Sequence, residues 1–580
     1  MIRVNKEKLT TAMLVLLTTW LIVLILVLAS VPPVSRDALI HHLAVPKLWI
    51  EQGGIYEMPN LIASYYPMNL DLLYVIPLYF GNDIVPKYIH FAFALATAGL
   101  IYTYLSKRLG RSYALTGSLL FLTTPVIIKL SITAYVDLGL VFFTTLSLFQ
   151  LLAWAENGFR FRHFAWAAVA CGLAAGSKYN GLISLFILTA MTPYIYLRRY
   201  RAKPAAKKEL SVQGKALGCG LVFAAIAGLV FMPWMARNAI WTGNPLHPLF
   251  SRTIQTLHGP GDGNRTPVGE TETHHAAERP QVEARSAETA NHFVVRKLVY
   301  EESWWETATI PLRIFFQGRD DDPKYFDGKL NPFLLLLPLL LFMGGIKGKG
   351  ANHSAGSRQN KDWMLLGVFS LLFLFFVFVY TDMRIRYIAP IIPFLTVLSM
   401  AGLKQLMTWA AQRKSLHAGL MANGCALAMA LSMFGVNTVY LVDQFKRVAP
   451  CTYMSGRVSR DAYIEKFRPE YAAIKHANAH LPDQAEILAL FIGGRGYYSD
   501  RSMRYDKGFL KSAVERADTA QDMRANLAAF GFTHLLIRFD MFDNWCHNFM
   551  DKKEKQIVIE FIQDRGLLLF AKNGHGLYKL

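Results

Sequence analysis

Long apolar stretches recur along this chain and constrain its fold more than any other feature. About eleven of them have the roughly 17–25 residues that a helix needs to cross a bilayer. Because lipid offers the backbone no hydrogen-bond partner, each stretch is expected to be helical. They lie near residues 11–32, 86–105, 112–129, 135–155, 163–178, 180–197, 215–236, 331–346, 363–381, 387–408 and 417–441. The sequence therefore predicts a mainly α-helical, polytopic membrane protein.

Basic residues alternate between the predicted loops. Short loops on the cytoplasmic side of a membrane are rich in Lys and Arg, and every second loop is basic if the N-terminus is inside. The net charge of +20 is then mostly a sign of topology and of contact with anionic membrane lipids. No soluble segment has the basic face of a nucleic-acid-binding protein. We expect a multi-pass protein of a bacterial inner membrane with a cytoplasmic N-terminus.

Two parts are predicted along the chain. Residues 1–441 form the membrane body, which has two large outer loops near residues 33–85 and 238–330. Residues 442–580 form a soluble domain on the same outer side. In that domain Glu486–Ile492 and Thr533–Arg538 are predicted to be buried strands, and helical stretches such as Phe509–Phe530 alternate with them. Together with a hairpin formed by Gly566–Lys572 and Gly576–Leu580, this pattern predicts a small α/β unit.

The outer loops contain segments suited to the membrane surface. The first loop has an amphipathic segment, Ala38–Gln52, and an apolar run, Leu70–Phe80, that is too short to span a bilayer. The aromatic end of the second loop, Trp304–Phe316, is expected to rest on the membrane. On the outer side a disulfide between Cys451 and Cys546 is chemically permitted, but the sequence does not decide whether they pair.

Asp37 is the foremost candidate for chemistry. It follows the first apolar stretch, so its carboxylate is expected at the outer edge of the lipid. A carboxylate there can take the proton of an acceptor hydroxyl as a general base. The alternative is a residue that caps the helix starting at Ala38. Further candidates close to it are Arg36, His41, His42 and Lys47.

A second acid and a set of cations lie at the outer ends of later stretches. Asp137 begins the fourth stretch, where it either serves the helix dipole, assists Asp37 or helps to bind a divalent cation. Outer loops are normally poor in Lys and Arg, so cations gathered at this level indicate an anion such as phosphate. These candidate phosphate-binding residues are Lys178, Arg237, Arg384 and Arg386.

No metal site or nucleotide site is predicted. The chain has neither a zinc-type Cys and His spacing nor a Walker loop. The histidines of the second outer loop, His258, His274 and His275, have no defined ligand geometry. No cofactor is required by this reading, although a divalent cation stays an alternative.

The order of these motifs resembles the polytopic GT-C glycosyltransferases. It is most similar to the bacterial branch related to protein O-mannosyltransferases and to aminoarabinose transferases that act on lipid A. The matching segments are Ser35–Asp37, Tyr135–Asp137, Gly176–Gly181, Pro233–Asn238 with Thr242–Pro245, and Arg384–Pro393. Relatives often place a second acid directly after the first, whereas Ala38 follows Asp37 here.

The resemblance implies a transferase that uses a polyprenyl-phosphate sugar as its donor. Asp37 would be the base of an inverting displacement, and the cations would stabilise the departing lipid phosphate. The acceptor, whether a lipid, a polysaccharide or a protein, is left open. The alternatives are a transporter or flippase of a lipid-linked or polar solute, which would usually show internal repeats, and an assembly protein of the cell envelope without enzymatic activity.

Overall fold

The computed structural model describes residues 6–200, 210–251, 292–343, 353–411, 416–564 and 567–580. The histidines of the second outer loop, His258, His274 and His275, lie outside these described residues. The architecture is mainly helical with a small C-terminal sheet, as the sequence predicts.

Within the described residues, seven helices are long and apolar enough to cross a membrane. Their bounds are Glu7–Ala29, Val85–Ser106, Asp137–Glu156, Gly181–Tyr200, Val212–Thr242, Asp362–Tyr380 and Ile385–Trp409. An eighth is added if Arg111–Thr123 and Pro125–Ser131, which meet at an angle of 65°, form one broken span. The break coincides with Pro125, which cannot donate a helical hydrogen bond. This is a polytopic membrane protein.

Three more of the predicted stretches are also helical but do not meet the same criterion for a span. They are Phe161–Ser177, with 17 residues, Phe333–Met343, with 11 residues, and Leu416–Val448, with 33 residues. All the apolar stretches predicted from the sequence therefore correspond to helices. The count of about eleven crossings stays a prediction for these three.

The first outer loop folds into short helical pieces beside the spans. A π-helical turn, Ala38–His42, and an α-helix, Ala44–Gln52, replace the single amphipathic segment expected from the sequence. A 3-10 turn, Ile62–Tyr65, leads to the helix Asn69–Tyr79, which covers the short apolar run. Leu70 on this helix lies so close to Gly139 that a side chain there would collide with it. The first outer loop is thus packed onto the start of a span.

The second outer loop is described over residues 238–251 and from residue 292 onward. Its helices are His292–Leu298, Trp304–Ala308 and Ile310–Arg313, and a 3-10 turn follows at Pro323–Tyr325. Ser303 and Glu306 form a capping box at the second of these helices.

The C-terminal part begins with the helices Pro450–Met454, Arg460–Phe467 and Tyr471–His480. Five strands follow, β1 Glu486–Leu490, β2 Ser502–Arg504, β3 His534–Arg538, β4 Leu568–Lys572 and β5 His575–Lys579. The sheet order is β2-β1-β3-β5-β4, with β1 parallel to β2 and β3, and with β5 antiparallel to β3 and β4. The predicted strands and the closing hairpin are confirmed.

Two details of this part differ from the sequence expectation. The stretch expected as one helix, Phe509–Phe530, is two helices, Lys507–Glu515 and Ala520–Ala529, because a capping box at Thr519 starts a new helix. The helices Phe539–Phe549 and Lys552–Gln563 complete the unit. Both Cys451 and Cys546 are free thiols, so the pairing that the sequence left open is not formed.

Candidate active site

Asp37 lies directly before the π-helical turn and pairs with Arg386. The distance from Arg386 Nη1 to Asp37 Oδ2 is 2.5 Å, and the two side chains are 12% and 21% exposed. The Asp37 side chain makes no capping hydrogen bond to the turn that follows it, so the alternative role as a helix cap does not hold. The carboxylate is instead held between the first outer loop and the segment Ile385–Ile391, which is a 3-10 helix.

The electrostatic environment keeps Asp37 ionised. Burial alone would raise the pKa of this carboxyl, but the Arg386 guanidinium and the neighbouring His41 and His42 hold the pKa well below its usual range. An ionised carboxylate is the form that can accept a proton. Half-buried Arg36 precedes it in the chain.

Asp137 and Lys178 form a second ion pair. Lys178 Nζ lies 2.7 Å from Asp137 Oδ1, and Asp137 is almost fully buried. The other carboxylate oxygen, Oδ2, is buried without a hydrogen-bond partner. Lys178 also lies 5.1 Å from the centre of the Tyr387 ring, directly after Arg386 in the chain. Arg386 also lies 5.3 Å from the centre of the Tyr387 ring, so one cation of each ion pair contacts this ring. We refer to this aromatic surface as the aromatic wall.

Tyr135 completes that wall. Its hydroxyl accepts a hydrogen bond from the backbone N–H of Asp37 at 3.4 Å, and its ring centre is 5.3 Å from the guanidinium carbon of Arg386. Tyr135 stands two residues before Asp137, so one short segment contacts both ion pairs. The sequence reading quoted this tyrosine within a motif but assigned it no role.

The geometry of Lys178 follows from its local sequence. The helix Phe161–Ser177 ends there because Lys178 is extended, with φ −164° and ψ 144°. Gly176 sits so close to the Asn69 side chain that a side chain at 176 would collide with it. The missing side chain at position 176 lets the first outer loop approach the helix end that presents Lys178.

Two histidines and a buried acid lie on the other side of Asp37. His42 Nδ1 is 2.7 Å from Asp71 Oδ1, and the rings of His41 and His42 are 4.0 Å apart. Burial lowers the pKa of both histidines to about 3 and raises the pKa of Asp71 to about 7. Burial therefore favours the neutral forms of His42 and Asp71, which contact each other at 2.7 Å. His41 Nδ1 and Asp71 Oδ2 are buried without partners.

Arg237 lies further along the same surface. Its guanidinium donates to the Tyr66 carbonyl oxygen at 3.2 Å and to Asn238 Oδ1 at 2.9 Å, while Nη1 is buried without a partner. The Tyr66 ring lies 6.2 Å from the His41 ring, which connects Arg237 to the surroundings of Asp37. Arg237 thus has one donor left for an anion.

Two of the predicted residues lie elsewhere. Arg384 is extended, donates to Asp382 Oδ2 at 2.9 Å and approaches Asp327 to 3.8 Å. Lys47 contacts the C-terminal part, because its Nζ donates to the Ser499 carbonyl oxygen at 2.7 Å and to Asp500 Oδ1 at 2.9 Å. The structure therefore pairs Asp37 with Arg386 and Asp137 with Lys178, whereas Arg384 and Lys47 have other partners.

The C-terminal part contacts the turn that carries Asp37. The backbone N–H of Tyr497 donates to the Leu39 carbonyl oxygen at 3.1 Å, and the Tyr498 hydroxyl donates to the Pro33 carbonyl oxygen at 2.8 Å. The segment Gly493–Asp500, read from the sequence as an ordinary turn, makes these contacts. No pattern in the sequence indicated this role, since it depends on how the two parts pack.

Within the ranges that the structure describes, no group of three or more His, Cys, Asp or Glu side chains could hold a metal ion. The divalent cation considered near Asp137 has no such group there, and the nearest cation to that acid is the Lys178 ammonium.

Comparison with known proteins places this geometry in context. Residues 65–242 match the family model described as dolichyl-phosphate-mannose-protein mannosyltransferase. ArnT from Cupriavidus metallidurans in the apo state aligns with a TM-score of 0.53 at 13% identity, covering 98% of this chain and 98% of that one. The same protein bound to undecaprenyl phosphate gives the same values. A comparison with curated proteins gave no match.

The archaeal oligosaccharyltransferase AglB from Archaeoglobus fulgidus, in complex with an inhibitory peptide and a dolichol-phosphate, is more distant. Its TM-score is 0.44 at 12% identity, with 91% of this chain and 70% of that chain covered. The ArnT alignment extends over the membrane body and the C-terminal part alike, and it confirms the fold expected from the sequence motifs. The chain therefore has the fold of the GT-C glycosyltransferases and carries, over residues 65–242, a domain that matches the dolichyl-phosphate-mannose-protein mannosyltransferase family.

Proposed function

We propose that this protein transfers a sugar from a polyprenyl-phosphate-linked donor to an acceptor on the outer face of a bacterial inner membrane, with Asp37 as the general base. The observation that carries the proposal is the ion pair of Asp37 with Arg386 beside the ion pair of Asp137 with Lys178. A base and two cations on one wall are what a displacement of a phosphate leaving group requires.

The reaction is a single displacement. An acceptor hydroxyl within hydrogen-bond distance of Asp37 gives its proton to the carboxylate while its oxygen attacks the anomeric carbon. The bond between that carbon and the phosphate oxygen breaks, and the electron pair stays on the lipid phosphate. Attack opposite to the leaving group inverts the anomeric configuration.

The leaving phosphate gains charge as the bond breaks, so the nearby cations matter most at that moment. Arg386 presents a planar fork that suits phosphate, and Lys178 presents a point charge. Arg237 has an unpartnered buried Nη1 on the same surface. In the absence of a donor, Asp37 neutralises Arg386 and Asp137 neutralises Lys178. Donor phosphate bound near Arg386 and Lys178 would lie beside the Asp37 carboxylate, which Arg386 keeps ionised and able to act as a base.

The prenyl chain of the donor also needs an apolar binding surface. An apolar groove of about 580 Å³ lies beside the first outer loop, between the helix Asn69–Tyr79 and the start of the helix Val85–Ser106. The same short helix carries Asp71 and Tyr74 on its buried face. Tyr74 packs in the same apolar cluster as Ala38, which follows Asp37 in the chain, and Ile89 of the groove is packed against that cluster. This proximity supports a lipid-linked donor.

Mass spectrometry of the lipids that copurify with the protein tests the proposal. We expect a polyprenyl phosphate, or its sugar-linked form, in the wild-type sample and much less of it in Arg386→Gln and Lys178→Gln. Arg457→Gln, at an exposed position, is the matched control and should retain the lipid. Copurified polyprenyl phosphate that is unchanged in both site variants would contradict the assigned phosphate contacts.

A further inference from the structure

A second cationic feature lies outside the candidate active site, on the described part of the second outer loop. A cavity of about 760 Å³ opens there, and it is lined by Glu306, Arg313, Phe316, Gln317, Gly318, Arg319, Lys324, Tyr325 and Lys329. We refer to it as the loop cavity. Four of these side chains are cationic and one is acidic. The acid, Glu306, is already engaged in the capping box with Ser303.

Most acids near the loop cavity already have partners. Asp320, Asp321 and Asp327 all lie within 3.1–3.5 Å of Lys129, a residue of the membrane body. Glu302 pairs with Arg296 and Arg313 of the loop itself, and Asp322 accepts a hydrogen bond from the backbone N–H of Lys324.

One of the four cations of the loop cavity, Arg313, pairs with Glu302 at 3.1 Å, while the other three have no ion-pair partner among the described residues. Among the described residues no carboxylate lies within ion-pair distance of Arg319, Lys324 or Lys329. Arg319 stacks on the Tyr325 ring at 4.4 Å, which holds the guanidinium in place without neutralising it. Outer loops of membrane proteins are normally poor in such residues. The arrangement indicates an anionic ligand that comes from outside the chain.

The surroundings of the loop cavity indicate a ligand attached to the membrane. Trp304 and Trp305 are 65% and 63% exposed and stack on each other at 3.7 Å. Leu312 and Phe316 are each 55% exposed on the same stretch. Exposed aromatic and apolar side chains of this kind anchor a protein at the level of lipid headgroups. Phe316 lines the cavity itself.

We infer that the loop cavity binds the phosphate-bearing headgroup of a membrane lipid. A phosphate has several acceptor oxygens and can engage separate cations around a wide opening, as Arg319, Lys324 and Lys329 are arranged. The headgroup comes either from a bulk anionic phospholipid or from a glycolipid with a phosphate monoester. Both sources present the same chemistry to the three cations.

The loop cavity is next to the candidate active site but separate from it. The Phe326 carbonyl oxygen accepts a hydrogen bond from the backbone N–H of Ile385 at 2.8 Å, one residue before Arg386. The Lys329 carbonyl oxygen accepts one from Val126 at 3.0 Å. A lipid held in the loop cavity therefore lies beside the segment that carries the cation paired with Asp37.

The test is native mass spectrometry of the full-length protein in detergent, titrated with defined lipids. The probes are phosphatidic acid, phosphatidylglycerol, phosphatidylcholine and undecaprenyl phosphate. The variant is Arg319→Gln/Lys324→Gln/Lys329→Gln. The control, Arg516→Gln/Lys552→Gln/Lys579→Gln, removes the same charge from exposed positions of the C-terminal part.

We expect the wild type and the control to prefer phosphatidic acid or phosphatidylglycerol over phosphatidylcholine. The triple variant should lose that preference, with an affinity lower by about 100-fold for three surface cations. Binding of both anionic lipids identifies bulk phospholipid as the source, and binding of phosphatidic acid alone identifies a phosphate monoester.

Three outcomes would overturn the inference. They are equal binding of anionic and zwitterionic lipids by the wild type, equal loss in variant and control, and loss of undecaprenyl phosphate alone. Loss of undecaprenyl phosphate binding alone would show that these cations bind the sugar donor and not a separate lipid. Because the readout is binding and not turnover, a failure of the proposed transfer reaction would leave this test intact.

Discussion

The ion pair between Arg386 and Asp37 leads to a prediction about the pH dependence of transfer. Arg386→Gln removes the positive charge that lies 2.5 Å from the carboxylate. The glutamine side chain keeps part of the shape of the arginine, so the change is mainly one of charge. An opposite charge at such a distance typically lowers the pKa of an acid by about one to three units. Burial raises the pKa of Asp37, and in the variant the charge of Arg386 no longer opposes this effect.

The magnitude follows from the geometry. Two unit charges about 4 Å apart at an effective dielectric constant of about 20 interact by roughly 4 kcal/mol. Both side chains are partly exposed, which screens the pair, so about 1.4–4 kcal/mol is expected, equivalent to about one to three pH units. The pKa of Asp37 in the variant should therefore rise by about one to three units from its depressed value, because burial is then less opposed.

The assay is the rate of sugar transfer by purified protein in vesicles, measured from about pH 3 to 9. The wild type keeps Asp37 ionised over this range, so protonation of this residue should not limit its rate. In Arg386→Gln the rate should fall as the pH drops into the range where Asp37 takes up a proton. Arg386→Lys keeps the positive charge, so its pH profile should have the same shape as that of the wild type. An Arg386→Gln profile of wild-type shape, whatever its height, would refute the role of Arg386 in holding Asp37 ionised.

Two further predictions concern the surroundings of Asp37. The pKa of Asp71 is raised to about 7, so the folded state keeps a proton that the unfolded state releases above about pH 4. The free energy of unfolding of the wild type should therefore fall between about pH 4 and 7 and then level off, while Asp71→Asn should lack this contribution in thermal unfolding at pH 5.5 and 8. Equal pH slopes would contradict the neutral pair with His42. Lys47→Met removes the contacts to Ser499 and Asp500 and should lower the free energy of unfolding by about 1–3 kcal/mol, whereas exposed Lys466→Met should not; equal melting temperatures would show that the contact contributes nothing.

The sequence allowed the fold to be predicted because lipid imposes a strong pattern. Apolar stretches of sufficient length must be helical in a bilayer, and the helices found correspond to them. The α/β character of the C-terminal part was also readable, since β1 and β3 are buried, nearly continuous apolar runs. Strand β2 was missed because three residues, Ser502–Arg504, give no periodicity to detect.

The candidate site residues were predicted individually, but not as pairs. Arg386 and Asp37 are 349 positions apart, and no spacing rule connects them. Arg384 and Arg386 were equivalent in the sequence, yet they point to different partners. The reason is that Arg384 is extended while Arg386 lies in the 3-10 helix that follows, a change of conformation that the sequence did not indicate.

The role of Asp71 was missed for a different reason. The run Leu70–Phe80 was read as an interfacial helix, which accounts for its apolar residues and makes Asp71 appear to be a polar residue at the surface. In the structure Asp71 is buried against His42, because the π-helical turn Ala38–His42 brings His41 and His42 to one side. A regular α-helix from Ala38 to Gln52 would have given these residues different directions.

Turnover of Asp37→Asn is the most direct measurement of the central claim. Purified wild type and variant, in vesicles, are given the polyprenyl-phosphate sugar identified by lipid mass spectrometry, and the release of polyprenyl phosphate is followed. We predict that turnover falls by about 10²–10⁴-fold, while bound undecaprenyl phosphate and the melting temperature stay close to wild type. Transfer by Asp37→Asn at the wild-type rate would contradict the assignment of Asp37 as the base.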